Sequence, residues 1–468
     1  MTRSVRTLLP ALLVLALACH ADNADDPRLI RSQIEALSSV GAERQMALEK
    51  LRQAGMAAHE ALREGPDGTA EIRKSLRARI RADRDALLRA AGLVVHEWGT
   101  LLHFQDSDNI VIGTHDDQSD LPDYVKVWTK LPVRSMPRVI LKPIVYFYTN
   151  KHLRASVTIR CPNGMPTQWW PNVTRYKPER PFAKGNGEVQ WHPNLARNGL
   201  LEWRNIELRP GLDPVYKPVP ADSWWPIARD TDSVPLHIGD DVEKFLFYRG
   251  VSLTVPKVEV ILNPLHQVTV TNRGSEPVEH VLAVHVLDGR AEARYVRQLT
   301  ANEQQTLDLS ISEAALSLDR FIEQTRQQVQ ECLEEAGLFP KEAEAMTEIW
   351  KSDYFTHDGL RVFYLLPAAD CANFMPLSVS PEPVSIVRTL LVQIECFTPE
   401  REAVVDGLVA RLGAESFQDR EAAERVLLEG GRFIEAYLRQ MFGTTDDPEI
   451  RHRLKRILEK IPLAMPMG

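Results

Sequence analysis

Residues 258–296 read VEVILNPLHQVTVTNRGSEPVEHVLAVHVLDGRAEARYV. Short apolar runs are parted there by turn signals, Asn272-Arg273-Gly274 and Asp288-Gly289. The second is a pair that suits the left-handed backbone of a tight hairpin. The stretch predicts consecutive antiparallel strands. Outward from it, 94–104, 144–148, 155–160, 200–208, 244–248, 258–262, 267–271 and 281–286 read the same way, broken by Pro, Gly and Asn. Regular short strands of this kind predict a β-sandwich or a related all-β domain over 93–310. From Ser312 to Trp350 the pattern turns helical, 360–366 reads as a buried strand, and 385–397 fits either helix or strand. Residues 311–400 therefore read as a mixed helix/strand segment.

Both ends are helical in pattern. Leu29, Ile30, Ile34 and Leu37 recur at helical spacing, as do Ile72, Leu76 and Ile80, and Gly65-Pro66-Asp67-Gly68 breaks the run. Residues 28–92 form this N-terminal unit and 401–468 its C-terminal counterpart. Placing Arg44 on Arg420 also puts Ala47 on Ala423, Leu51 on Leu427, Gly55 on Gly431 and Leu62-Arg63 on Leu438-Arg439. After a short insertion, Glu71-Ile72-Arg73 falls on Glu449-Ile450-Arg451 and Leu76 on Leu454. Each copy reads as helix, Gly turn, helix, loop and helix, and the C-terminal one resembles HEAT-like repeats, which most often serve as scaffolds. The expected class is α+β multidomain. A central β-rich, sandwich-like domain is followed by an α/β segment, with HEAT-like helical units at both termini.

The N-terminus supplies an address. Arg3 and Arg6 precede an apolar run over 8–18, too short to span a bilayer but suited to a secretory signal. Leu15-Ala16-Leu17-Ala18-Cys19 resembles a bacterial lipobox, which implies acylation of Cys19 and a membrane anchor in the cell envelope. Ala16-x-Ala18 also satisfies an ordinary signal peptidase, which leaves a periplasmic or secreted product as the alternative. Residues 1–19 are the signal, and 20–27 a polar tether. No later stretch has the apolar length of a membrane span. With 56 Lys and Arg against 64 Asp and Glu, the net charge is −8, so no nucleic-acid partner is expected. Cys161, Cys332, Cys371 and Cys396 allow two disulfides or buried free thiols, and no zinc spacing occurs among them.

His96-Glu97-Trp98-Gly99-Thr100 opens the β region. With 143–148 (PIVYFY), 244–250 (KFLFYRG) and the 359–367 segment with Pro376-Leu377, this string resembles a family of exported bacterial proteins that carry an HEWGTF-type motif. Leu101 stands where that motif has Phe. The resemblance covers about 93–400 and implies an exported protein without implying a reaction.

Strand alternation places Glu97 and His103 on one face and His96 on the other. Asp106 and Asp108 follow, then His115, Asp116, Asp117, Asp120 and Asp123, with no Lys or Arg over 104–125. Crowded carboxylates favour a divalent cation, and an added His favours Zn²⁺ or Mn²⁺. Glu97, His103, Asp106 and Asp108 are thus candidate metal ligands, weighed against a solvated acidic loop. His96 is not part of an HExxH pair, because Thr100 stands at the second His position. Trp169, Trp170, Trp224 and Trp225 are candidates for stacking on a sugar ring, weighed against plain packing. Arg361 is read as an anion clamp or a structural ion pair. Three functions follow: a lipid-anchored envelope protein that binds or scaffolds an envelope protein or glycan, a metal-dependent hydrolase at the HEWGT string and acidic loop, or a carbohydrate binder acting through the Trp-rich segment.

Overall fold

The computed structural model describes residue 89 and residues 92–109, 111–112, 121–127, 139–177, 182–185, 188–191, 197–220, 223–254, 257–312, 315–430 and 434–460. The signal, the tether, Cys19 and nearly all of the N-terminal helical unit lie outside the described residues, as do His115, Asp116, Asp117 and Asp120.

The chain divides into two compact units. The smaller gathers 1–94, 148–152 and 382–386. Within it the Arg89 guanidinium lies 4.7 Å from the centre of the Tyr148 ring, and the Val384 N–H donates to the Leu93 carbonyl at 2.8 Å. The larger unit holds 95–147, 153–381 and 387–468.

The architecture is α+β: a large mixed sheet, smaller sheets and C-terminal helices. The large sheet has 11 strands, one of them, Val111–Ile112, beside Val94–Gln105. The others follow in the order Leu316–Ser317, Arg290–Leu299, Val278–Leu287, Gly359–Leu365, Ser385–Cys396, Val94–Gln105, Val139–Tyr148, Phe245–Ser252, Gly164–Trp170, Lys126–Val127. The Gly359–Leu365 strand is antiparallel to Ser385–Cys396. The next neighbours run the same way, because Arg388 meets Glu97 and Cys396 meets Gln105 across the same offset of 291 positions. A constant offset requires parallel strands.

Alternation along Val94–Gln105 sends His96 and Thr100 toward the helices Leu318–Glu335, Pro340–Ile349 and Lys351–Phe355, where Glu342 and Tyr354 meet them. Glu97 points to the opposite face, beside Tyr248. On that side Trp169, the cross-strand neighbour of Tyr248, stacks at 4.6 Å on Tyr176 of the second sheet. That sheet has the order Asp241–Glu243, Leu236–Ile238, Gly199–Leu208, Leu153–Cys161, Leu377–Ser380, with Arg175–Lys177 beside Gly199–Leu208. Cover on both faces explains why Phe245–Ser252 and Gly164–Trp170 are buried at every position.

The 258–296 stretch folds as two hairpins in different sheets, not one meander. Val258–Leu262 and Gln267–Asn272 join Gln304–Asp308 in a three-stranded sheet. Val278–Leu287 and Arg290–Leu299 close through Asp288 and Gly289, both at positive φ (49° and 72°), as the Asp-Gly pair predicts. Asn272-Arg273-Gly274 instead carries the chain between sheets, and the Asn272 amide holds the crossing by donating to the Glu276 and Leu299 carbonyls. Residues 385–397 resolve as strand through Cys396. Strands from both sides of residue 310 share the large sheet, so the 311–400 segment completes the β-rich region.

Thr398 ends the strand region and caps the helix Pro399–Arg411, with Pro at its first turn. The helices Phe417–Gly430, Glu435–Thr444 and Pro448–Lys460 follow. The four bury one core, which includes Val405, Val409, Leu427, Leu438, Leu454 and Ile457. No described helix is long and apolar enough to cross a membrane.

Gly99 is required by close approach. A Cβ there would lie 2.5 Å from the Pro143 Cα, which is backbone and cannot swing aside. Gly99→Ala is expected to destabilise the protein by about 3 kcal/mol, the upper end for over-packing. Urea unfolding of the variant checks this, and an unchanged midpoint would refute it.

Candidate functional site

On its helix-facing side the HEWGT strand is tied down residue by residue. His96 Nδ1 lies 2.6 Å from a Glu342 carboxylate oxygen, and both side chains are buried. The same oxygen accepts the Phe339 N–H at 2.9 Å, where the Pro340–Ile349 helix starts. Trp98 stacks on Tyr146 at 5.7 Å, and the Thr100 and Tyr354 hydroxyls pair.

On the other side Glu97 is fully buried and carries two partners. The Tyr248 hydroxyl donates to one oxygen at 2.6 Å, and Arg388 Nε donates to the other at 2.5 Å. Arg388 Nη1 also donates to the Cys371 carbonyl at 3.0 Å. Burial, then the Glu97 charge, pushes the Tyr248 phenol well above its ordinary range. Burial alone would lower Arg388, but Glu97 outweighs it and the guanidinium is held above its usual value. The result is a charge-assisted, three-membered buried network.

The four metal candidates meet different fates. Glu97 is held by Arg388. His103 is buried with neither ring nitrogen hydrogen-bonded, and burial pushes it down from 6.5 to about 3. Asp106 shapes a turn: its carboxylate accepts the Asp108 N–H at 3.0 Å, and Asn109 follows at φ 60°. Asp108 beside it is exposed. These four do not converge as a ligand set. Among the described residues, His266, His285 and Glu400 do. Sequence reasoning missed all three, since they lie on separate elements and match no spacing motif.

The tryptophans pack. Trp169, Trp170 and Trp225 are buried, so the two pairs do not form an exposed stacking platform. Both members of the first pair are covered because their strand is covered on both faces. Trp225 Nε1 donates to Glu243 at 2.9 Å, and Trp224 is half-buried with its ring 4.7 Å from that of Trp225. Arg361 is spent on a structural ion pair, with Nε 2.8 Å from Glu395. Cys161, Cys332, Cys371 and Cys396 are free thiols, and burial pushes the first three up to about 12.

Comparison with protein-family models gives no match, and comparison with curated protein sequences gives none either. Among solved structures, the yeast delta-COP-I mu-homology domain, alone and complexed with the Dsl1 WxWxV peptide, is similar to 65% of this chain and 96% of its own length. The identity is 8% and the TM-score 0.22 in both cases, a likeness too remote to carry an argument.

Two outcomes follow from the buried groups. Arg388→Met leaves the Glu97 charge buried and unpaired, and is expected to cost about 3–5 kcal/mol. Adding Glu97→Gln should recover a large part of that loss in a double-mutant cycle read by urea unfolding, and additive losses would contradict the pair. His103 binds its proton less readily folded than unfolded. Its contribution to stability is therefore full above pH 6.5 and is lost as pH falls toward about 3. The loss amounts to about 1.4 kcal/mol per pH unit. His103→Leu should flatten the acid limb of the stability–pH curve by one proton, and a limb parallel to wild type would overturn the assignment.

Proposed function

We propose that this chain is an exported cell-envelope protein, lipid-anchored through Cys19, that works by binding or scaffolding rather than by turnover. One observation carries the reading: the polar side chains of the HEWGT strand that suggest chemistry are engaged by the fold itself, His96 by Glu342 and Glu97 by Arg388 and Tyr248. A hydrolytic cation at Glu97 would have to displace Arg388 and leave a second buried charge unpaired, a large penalty.

A large sheet with a smaller sheet against one face supports a sandwich-like reading of the β-rich region. Four C-terminal helices with one core support a HEAT-like unit, for which the repeat at 28–92 is the expected counterpart. That C-terminal unit leaves Val404 and Phe417 each 62% exposed, and exposed apolar side chains on helical repeats are a usual means of meeting partners.

Two measurements test this. In bacterial cells given a clickable palmitate analogue, the wild-type chain should take up label and fractionate with membranes. Cys19→Ala should do neither, and an unlabelled, soluble wild type would refute the anchor. A photo-crosslinking phenylalanine analogue in place of Phe417 should give a discrete adduct with an envelope component. Failure at both Phe417 and Val404 would sink the docking role of that face.

A further inference from the structure

His266, His285 and Glu400 come from three elements of the larger unit. His266 stands in the turn between Val258–Leu262 and Gln267–Asn272, His285 lies within Val278–Leu287, and Glu400 sits in the first turn of Pro399–Arg411. The two imidazole rings stack at 4.7 Å with 21° between their planes. One residue serves both: the Leu309 N–H donates to the His266 carbonyl at 3.1 Å, and His285 Nδ1 donates to the Leu309 carbonyl at 2.9 Å. That second bond fixes the tautomer and leaves the lone pair on His285 Nε2. The side chain is 1% exposed and Nε2 has no hydrogen-bond partner. Glu400 Oε1 lies 2.7 Å from His266 Nε2, while its other oxygen is buried without a hydrogen bond.

A buried lone pair and a buried carboxylate oxygen, both unmatched and carried by side chains of one cluster, form a donor set that suits a Lewis acid. We propose that His266 Nε2, His285 Nε2 and Glu400 bind one divalent cation of the Zn²⁺ class. Two imidazoles and one carboxylate suit zinc and its late first-row neighbours, whereas Ca²⁺ and Mg²⁺ prefer oxygen. The three ligand atoms lie within 4.8 Å of one another. Tetrahedral bonds of about 2.0–2.1 Å set them about 3.3 Å apart, within reach of small side-chain rotations. His266 and Glu400 are partly exposed, which leaves a further coordination position toward solvent. A bound ion would pin the first C-terminal helix to the β-rich region.

The test uses the full chain, purified in detergent, stripped with chelator and titrated with Zn²⁺ and Co²⁺. The expected result is about one equivalent per chain, a rise in melting temperature reversed by chelator, and visible Co²⁺ absorption of a low-symmetry site. His266→Gln with Glu400→Gln should weaken Zn²⁺ at least tenfold in competition with a chromophoric chelator, since even indirect partners of a metal are worth about that much. Asp106→Ala should leave it unchanged. Substoichiometric binding without a melting shift overturns the site, as does wild-type affinity in the folded double variant. Should that variant fail to fold, the wild-type Co²⁺ spectrum decides: the six-coordinate spectrum of aqueous Co²⁺ refutes the site.

Discussion

Glu97 and Arg388 sit in adjacent parallel strands at the middle of the large sheet, and much of the architecture depends on their meeting. The two residues are 291 positions apart, and neither charge is tolerable in that interior without the other. The Tyr248 hydroxyl brings in a third strand, and the Cys371 carbonyl fixes the far side of the guanidinium. Such a pair adds little net stability over a well-packed apolar equivalent. It does penalise every register that separates the charges, and a one-residue slip of Ser385–Cys396 would turn Arg388 to the opposite face. The proposed consequence is that the pair specifies where the last strand inserts.

That insertion has a second effect. Ser385–Cys396 runs directly through Phe397, which joins the helical core, into the Thr398 cap of Pro399–Arg411. The position of the C-terminal helices is thus inherited from the register of a central strand. A polar cluster within those helices tightens them further. Glu424 is buried, with Arg453, Arg456 and Lys460 of the Pro448–Lys460 helix converging on it. Glu424 therefore stays ionised: burial is opposed by hydrogen bonds from Arg456 and Lys460, and its carboxyl is held below the ordinary range.

Local signals were legible and non-local ones were not. The eight strands read between Val94 and Val286 all form, because alternation and turn residues are properties of a few neighbouring positions. The opposite orientations of His96 and Glu97 were legible for the same reason. Sheet membership was not, since the same alternation serves a three-stranded sheet and the flank of an eleven-stranded one. Trp169-Trp170 left stacking and packing both open because adjacent strand residues face opposite ways, and a strand covered on both sides buries both. The His266, His285 and Glu400 set was invisible, because its closeness exists only after a turn, a strand and a helix start are brought together.

The HEWGT string shows why residue type alone overstates chemistry. Its five positions each answer a steric or electrostatic demand from a different place: Glu342, Arg388 with Tyr248, Tyr146, the backbone at Pro143, and Tyr354. Once matched, an imidazole or carboxylate of this kind is held in position and has little left to offer a substrate or ion. The useful discriminator is therefore the unmatched polar atom, which in an interior costs about 1–3 kcal/mol and persists only where something offsets it. His285 Nε2 meets that description more fully than any atom of the HEWGT carboxylate network. Its tautomer is already set by Leu309, and the carboxylate that clusters with it keeps one oxygen without a hydrogen bond. By that criterion the proposed cation site belongs at the junction of the β-rich region and the C-terminal helices, and the motif that drew attention belongs to the frame.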